Sequence, residues 1–273
     1  MRILDAKTIV ACLVAFSTIL SACASAPERP SAMHKAAIEK NKDGATLLER
    51  RKFDAAMNSF RAALRMSRSI DDRDGMANAL INMTRTCRAM PKCAETPSLL
   101  AEAERVVSPG TALHRETLFE RARLALSSGQ YALGLATADR LLDAAVDDKA
   151  MRGRATNVKA LLLFASGDTD GARTAANAAL SVNREIGVRS EEANSLRVLG
   201  DIERSVSNWQ AAAAHCAAAL EADRRLGASR YVVLDLVCLG ECAAASGDSN
   251  AAADFNKRAA DAADAAGITL NSP

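Results

Sequence analysis

Three short breaks, Ser128-Gly129-Gln130, Ser166-Gly167-Asp168 and Ser246-Gly247-Asp248, recur 38 and 80 residues apart, each behind an alanine- or leucine-rich stretch. A glycine there can take the left-handed conformation that ends a helix, and the polar residue after it can help start the next. A second echo sets "RDGMANALINM" from Arg73 against "RSEEANSLRVL" from Arg189, 116 residues later, and Ile70 and Ile186 share that displacement. A third, "REIG" at Arg184, returns as "RRLG" at Arg224, forty residues on, and marks a second kind of turn. Two turns per period mean two helices per period. One such unit cannot bury its apolar face alone, so copies must stack. The fold expected is all-α, a right-handed solenoid of about six antiparallel helix pairs between Ala36 and Ala266.

Composition agrees. Aromatic residues make up only 3% of the chain, alanine is abundant, and no strand-like alternation stands out, which favours helices packed closely through small side chains. The 35 basic residues nearly balance the 33 acidic ones, so nothing in the charge asks for nucleic acid.

The residues inside the periods resemble the tetratricopeptide repeat, whose signature is a glycine in the first helix, an aromatic near the turn and small residues in the second helix. The sharpest copy is "LGDIERSVSNWQAAAAHCAAAL", with Leu199-Gly200, Trp209, Ala212 and Ala219-Leu220. The first copy has Gly44, Phe53, Ala56, Phe60 and Ala63-Leu64. Thinner copies carry Tyr131 and Leu141, then Ala172, Ala179 and Leu180, and finally Leu239-Gly240, Ala252 and Ala259. The second copy departs most, because "MPKCAETPS" reads as a lengthened inner turn. The period exceeds the usual 34 residues, which extra turns on the second helices would explain. Glycine and alanine let two helices cross closely while the aromatic fills the space beside the turn.

The N-terminus carries a different message. Arg2 and Lys7 precede an apolar segment, Thr8 to Leu20, of secretory length but too short to cross a bilayer, which takes about 20 residues. A small-x-small cut after Ala24 would suit an ordinary signal peptide; one after Ala26 would place Pro27 just past the scissile bond. Leu20-Ser21-Ala22-Cys23 resembles the lipobox of bacterial lipoproteins, which implies cleavage before Cys23 and lipidation of its thiol. In that family a residue other than aspartate after the cysteine, here Ala24, implies the outer membrane, and several acyl chains on one residue suffice for stable anchoring. The expected organisation is a signal peptide over 1–22, a lipidated tether over 23–33 with Pro27 and Pro30, a repeat array over 34–267 and a tail over 268–273.

Five cysteines remain for the array, and an oxidising compartment makes disulfides the first expectation: Cys87 with Cys93, and Cys216 with Cys238 or Cys242. His215, Cys216, Cys238 and Cys242 form the one set that invites a metal reading, but their spacing lacks the knuckles of a structural zinc site. His34, His114 and His215 sit in no zinc-protease helix, nucleophile elbow or phosphate loop, so binding is expected rather than catalysis, with no cofactor.

A solenoid of helix pairs offers a concave groove lined by its first helices. Arg85, Arg88, Glu116, Phe119, Arg123 and Arg154 are expected there, followed by Asn157, Phe164, Asn194, Arg197, Asp201 and Arg204. Arginines outnumber acids in that set, so the expected ligand is a peptide with acidic and apolar residues, Phe119 and Phe164 supplying anchors. Size and six-pair layout resemble the pilotin-type lipoproteins that assist type IV pilus secretins, as they do relatives that recruit peptidoglycan enzymes or outer-membrane assembly machinery. The resemblance implies a scaffold with a periplasmic or outer-membrane protein partner. The rival classes are a ligand-responsive sensor scaffold and an enzyme or enzyme subunit hidden in a helical fold.

Overall fold

A computed structural model describes residues 31–90 and 92–268, and every regular element among them is a helix. The signal segment, Cys23, the tether before Ser31 and the tail beyond Ile268 lie outside the described residues. Six antiparallel pairs follow in order: α1 (Ala32–Glu49) with α2 (Phe53–Ser69), α3 (Arg73–Ala89) with α4 (Thr96–Val106), and α5 (Ala112–Ser127) with α6 (Tyr131–Ala144). Then come α7 (Lys149–Ala165) with α8 (Thr169–Glu185), α9 (Arg189–Ser205) with α10 (Trp209–Leu226), and α11 (Ser229–Ala245) with α12 (Ser249–Ala265).

The punctuation works as its chemistry dictates. Gly129, Gly167 and Gly247 take φ of +68°, +94° and +82° at the ends of first helices, and Gly187 and Gly227 do the same, at +70° and +65°, at the ends of second helices. Asp168 and Asp248 then cap the next helix, each accepting a hydrogen bond of 2.9 Å from the backbone N–H three residues on. Three further turns take the same left-handed conformation without glycine. There Arg51, Asp71 and Ser207 are held in the left-handed region at φ of 56°, 51° and 58°. The turn geometry therefore belongs to the repeat, and glycine only makes it easier.

The core follows one register. A small residue in the first helix is followed 12, 16 and 19 positions later by buried residues of the second: Gly44 by Ala56, Phe60 and Ala63, and Gly200 by Ala212, Cys216 and Ala219; in the last pair Gly240 is followed by buried Ala252 and Ala259 but by an exposed Asn256. The fourth pair is alanine throughout, with Ala160, Ala172, Ala176 and Ala179 all fully buried. A Cβ on Gly44 would lie 2.5 Å from the Phe60 ring, and one on Gly200 would lie 2.8 Å from Cys216 Sγ, so these glycines mark close helix approaches. The second pair keeps the same register through Thr84, Thr96, Leu100 and Ala103, all buried. Its inner turn is lengthened as expected, to six residues, 90–95, against three in each other pair, and the extra residues are taken from the start of the second helix. Accordingly α4 starts late and has only 11 residues, and a Cys87–Cys93 disulfide with a Cα–Cα distance of 5.3 Å stands beside the missing helical turn. The long period is not confined to the second helices: α11 and α12 have 17 residues each, as do α7 and α8.

Beyond neighbours in sequence, helices approach only first helix to first helix: α1 to α3, α3 to α5, α5 to α7, α7 to α9 and α9 to α11. Successive second helices stay apart. The first helices therefore line the inner side of the curve. A second disulfide, Cys216–Cys238 with a Cα–Cα distance of 6.3 Å, ties α10 to α11, and Cys242, one helical turn beyond, is a buried free thiol. No helix among the described residues is long and apolar enough to cross a membrane.

Candidate functional site

Four first helices, α5, α7, α9 and α11, converge on one cleft of about 280 Å³. Its apolar floor is Leu126, Val158, Leu161 and Val198, spaced so that each helix turns the same face inward. Polar and aromatic groups surround it: Phe119 and Arg123 from α5, Arg154 and Asn157 from α7, Glu191, Asn194, Arg197 and Asp201 from α9, and Tyr231 from α11. Seven of the twelve residues expected on the concave side meet here. Phe164 and Arg204 line an adjoining hollow of about 410 Å³ with Asp201, Trp209 and Glu241. Arg85, Arg88 and Glu116 lie beside the cleft and reach it through their ion pairs.

Those ion pairs correct the expectation of a free arginine-rich groove. Arg88, Glu120, Arg85, Glu116 and Arg154 alternate in one chain across α3, α5 and α7. Glu120, only 1% exposed, accepts from Arg85 Nε at 2.8 Å and from Arg88 at 3.2 Å. Glu116 accepts both Arg154 Nη groups, at 2.6 and 3.1 Å, and a further bond from Arg85. Burial works against the Glu116 carboxylate, but the guanidiniums of Arg154 and Arg85 outweigh it and hold its pKa below the ordinary value. Arg204 is likewise bound to Asp201, at 3.2 Å, and to Glu241. Burial, with Glu241 nearby, raises the Asp201 pKa despite Arg204.

Arg197 serves a second buried group. It donates to Asp223 and Asn194, lies 3.5 Å from Asp235 Oδ1, and stacks over Tyr231 with its guanidinium carbon 4.2 Å from the ring centre. Burial and then the neighbouring Asp223 push the Asp235 pKa up to about 7, against the pull of Arg197.

Two further expectations change. Phe119 is 6% exposed and lies under Arg154, 4.2 Å from its guanidinium, with Arg123 at 5.7 Å. It is a platform for arginines, not a free anchor. Asn157, 5% exposed, is engaged with Ser195 Oγ at 2.9 Å and ties α7 to α9. Arg123 is the exception among the arginines of the cleft. It has no carboxylate or hydrogen-bond partner among the described residues, and burial together with the like charge of Arg88 pushes its pKa down.

Glu120, Glu191, Asp223, Tyr231 and Asp235 were not anticipated from the sequence. A signal for three of these existed in the forty-residue period. It carries Glu191 onto Tyr231, and it carries Asn157, Asn183 and Ser195, which meet between α7, α8 and α9, onto Arg197, Asp223 and Asp235.

No family model and no curated protein matches the sequence. Among solved structures the chain is similar to a Rap protein complexed with competence and sporulation factor, at 15% identity and a TM-score of 0.62 over 86% of this chain and 67% of that one. It is similar to aspartyl phosphate phosphatase F from Bacillus subtilis, at 11% identity and 0.60 over 89% and 75%. It is also similar to BtubC (BKLC) from P. vanneervenii, at 14% identity and 0.52 over 89% and 96%. At such identities the likeness establishes the fold: an all-helical, tetratricopeptide-like repeat array.

Proposed function

We propose that this chain is a protein-binding scaffold whose partner docks in the cleft formed by α5, α7, α9 and α11. The observation that carries the reading is Arg123, a half-buried cation with no carboxylate or hydrogen-bond partner among the described residues, beside an apolar floor and in a cleft where the other arginines are already paired. A partner segment that brings a carboxylate and an apolar side chain would satisfy both. A structural neighbour of this fold was solved in complex with the competence and sporulation factor, which supports binding as a use of such an array. Binding, not catalysis, is the role assigned.

The same proposal places the scaffold at the bacterial outer membrane on its periplasmic face, anchored through Cys23 as a lipoprotein of the pilotin-like or related assembly class. Leu20-Ser21-Ala22-Cys23 supports this, and two disulfides in the array suit an oxidising compartment. The docking half is tested by affinity recovery of partners from crosslinked envelopes: Arg123→Glu should lose the partner that the wild type retains, and equal recovery would contradict the reading. The anchoring half is tested by metabolic labelling with a fatty-acid analogue. Cys23→Ser should lose the label, and a labelled, membrane-bound Cys23→Ser protein would contradict it.

A further inference from the structure

Asp223 on α10 and Asp235 on α11 are 1% and 0% exposed, and one guanidinium, that of Arg197 on α9, serves both. Asp235 Oδ2 is buried without a hydrogen-bond partner. Two carboxylates removed from water against a single cation leave one negative charge unmatched, and its desolvation is not repaid by the shared partner. Among the described residues no second cation pairs with either carboxylate, and Arg230, on α11 with Asp235, is exposed. From α9 Arg197 faces Asp235, and from α10 Asp223 does. Both cations of α12 are taken, Lys257 by Asp261 at 2.6 Å and Arg258 by Asp254 at 2.8 Å, and its remaining charged group, Asp264, is an acid. On α11 itself Glu241 is bound to Arg204.

The neighbouring joint shows that the repeat does not need this charge. Forty residues earlier the same three positions hold Asn157, Asn183 and Ser195. Asn183 Nδ2 donates to Ser195 Oγ at 3.1 Å, Ser195 Oγ lies 2.9 Å from Asn157 Oδ1, and the joint is neutral. The charged copy differs in a second respect. Its cation reaches the cleft, because Arg197 and the Tyr231 ring beneath it both belong to the lining.

We propose that Asp223 and Asp235 hold one proton between them, and that its release to water draws Arg197 inward, off Tyr231, so that pH sets the charge and shape of the binding cleft. With the proton in place, one carboxylate and one guanidinium form a balanced pair and Arg197 keeps its stack on Tyr231. Once the proton leaves, the second carboxylate competes for Arg197, and the short move toward Asp235 matches the new charge at the expense of the ring contact. A partner that needs Arg197 at the cleft surface is then held more tightly at lower pH. The idea concerns the unliganded protein, so its failure leaves the docking reading standing.

The test is an NMR pH titration of the purified full chain, with ¹³C-labelled aspartate carboxyls, ¹⁵N-labelled arginine Nε and ¹³C-labelled tyrosine rings. The Asp235 carboxyl, the Arg197 Nε–H and the Tyr231 ring should move together with one midpoint near 7. Asp235→Asn should freeze the Tyr231 signal at its low-pH position. Transplanting the neutral joint by Arg197→Asn, Asp223→Asn and Asp235→Ser should abolish the titration of Tyr231 while leaving the helical circular dichroism intact. The proposal is overturned if Tyr231 does not move between about pH 5.5 and about pH 8.5 or if the Asp235 carboxyl titrates near the ordinary value of about 4. An unchanged Tyr231 titration in Asp235→Asn overturns it too, and that single variant decides should the triple one not fold.

Discussion

Replacing Gly44 by alanine tests the helix-crossing register where a glycine meets a fully buried aromatic ring. The new Cβ would fall 2.5, 2.7 and 2.8 Å from three carbons of the Phe60 ring, and Phe60 is fully buried, so the ring has nowhere to turn. Overpacking of this kind costs about 1 to 3 kcal/mol. Against it stands the gain of about 1 kcal/mol for alanine over glycine inside a helix. The net expectation is a loss of up to about 2 kcal/mol. Phe60→Leu removes the ring, and in that background Gly44→Ala should become neutral or favourable by up to about 1 kcal/mol, a coupling of about 2 kcal/mol between two contacting positions. A terminal pair of a solenoid can open by itself, so the readout is native-state hydrogen exchange of α1 and α2 amides beside global unfolding. Additive effects of Gly44→Ala and Phe60→Leu would refute the register.

Ser207→Gly should stabilise the protein by about 0.5 to 1 kcal/mol in denaturant unfolding, because relief of a left-handed serine, worth about 1 to 2 kcal/mol, exceeds the cost of a more flexible unfolded chain. Arg85→Ala should cost about 1 to 3 kcal/mol, since Glu120 keeps only Arg88 in a buried position, whereas Arg123→Ala should change stability by no more than about 0.5 kcal/mol. Asp235 has a folded-state pKa near 7, above the unfolded value of about 4, so the folded state binds its proton more tightly. Its contribution is fully present below the unfolded value and lost as pH rises through about 7, and Asp235→Asn should therefore gain stability relative to wild type between pH 5 and pH 8 in thermal melts. Maleimide labelling of the denatured oxidised protein should find one reactive thiol among the array cysteines, Cys242; five would contradict both bridges.

The fold could be read because its determinants are local. Gly129, Gly167 and Gly247 end their helices through their own left-handed backbone, and Gly200, Ala212 and Ala219 announce a close crossing by size alone. The second pair hid its register, since Thr84, Thr96 and Leu100 fill the same places without a glycine or an aromatic, and its longer inner turn is offset by a shorter α4. The cleft was legible as a set of facing positions but not as an electrostatic surface. Arg197 finds Asp223 and Asp235 on the next two helices, 26 and 38 residues away, and Arg154 finds Glu116 38 residues back. Such pairing depends on how the pairs stack, which a count of arginines does not contain.

Docking of a protein partner in the cleft between α5, α7, α9 and α11 is open to site-specific photocrosslinking in living cells. A photoreactive phenylalanine analogue at Leu161, on the cleft floor, should yield a discrete adduct with one partner, and Arg123→Glu in the same chain should abolish it. The same analogue at Lys257, on the exposed face of α12, should yield none. An adduct from Lys257 with none from Leu161, or a Leu161 adduct indifferent to Arg123→Glu, would contradict the account.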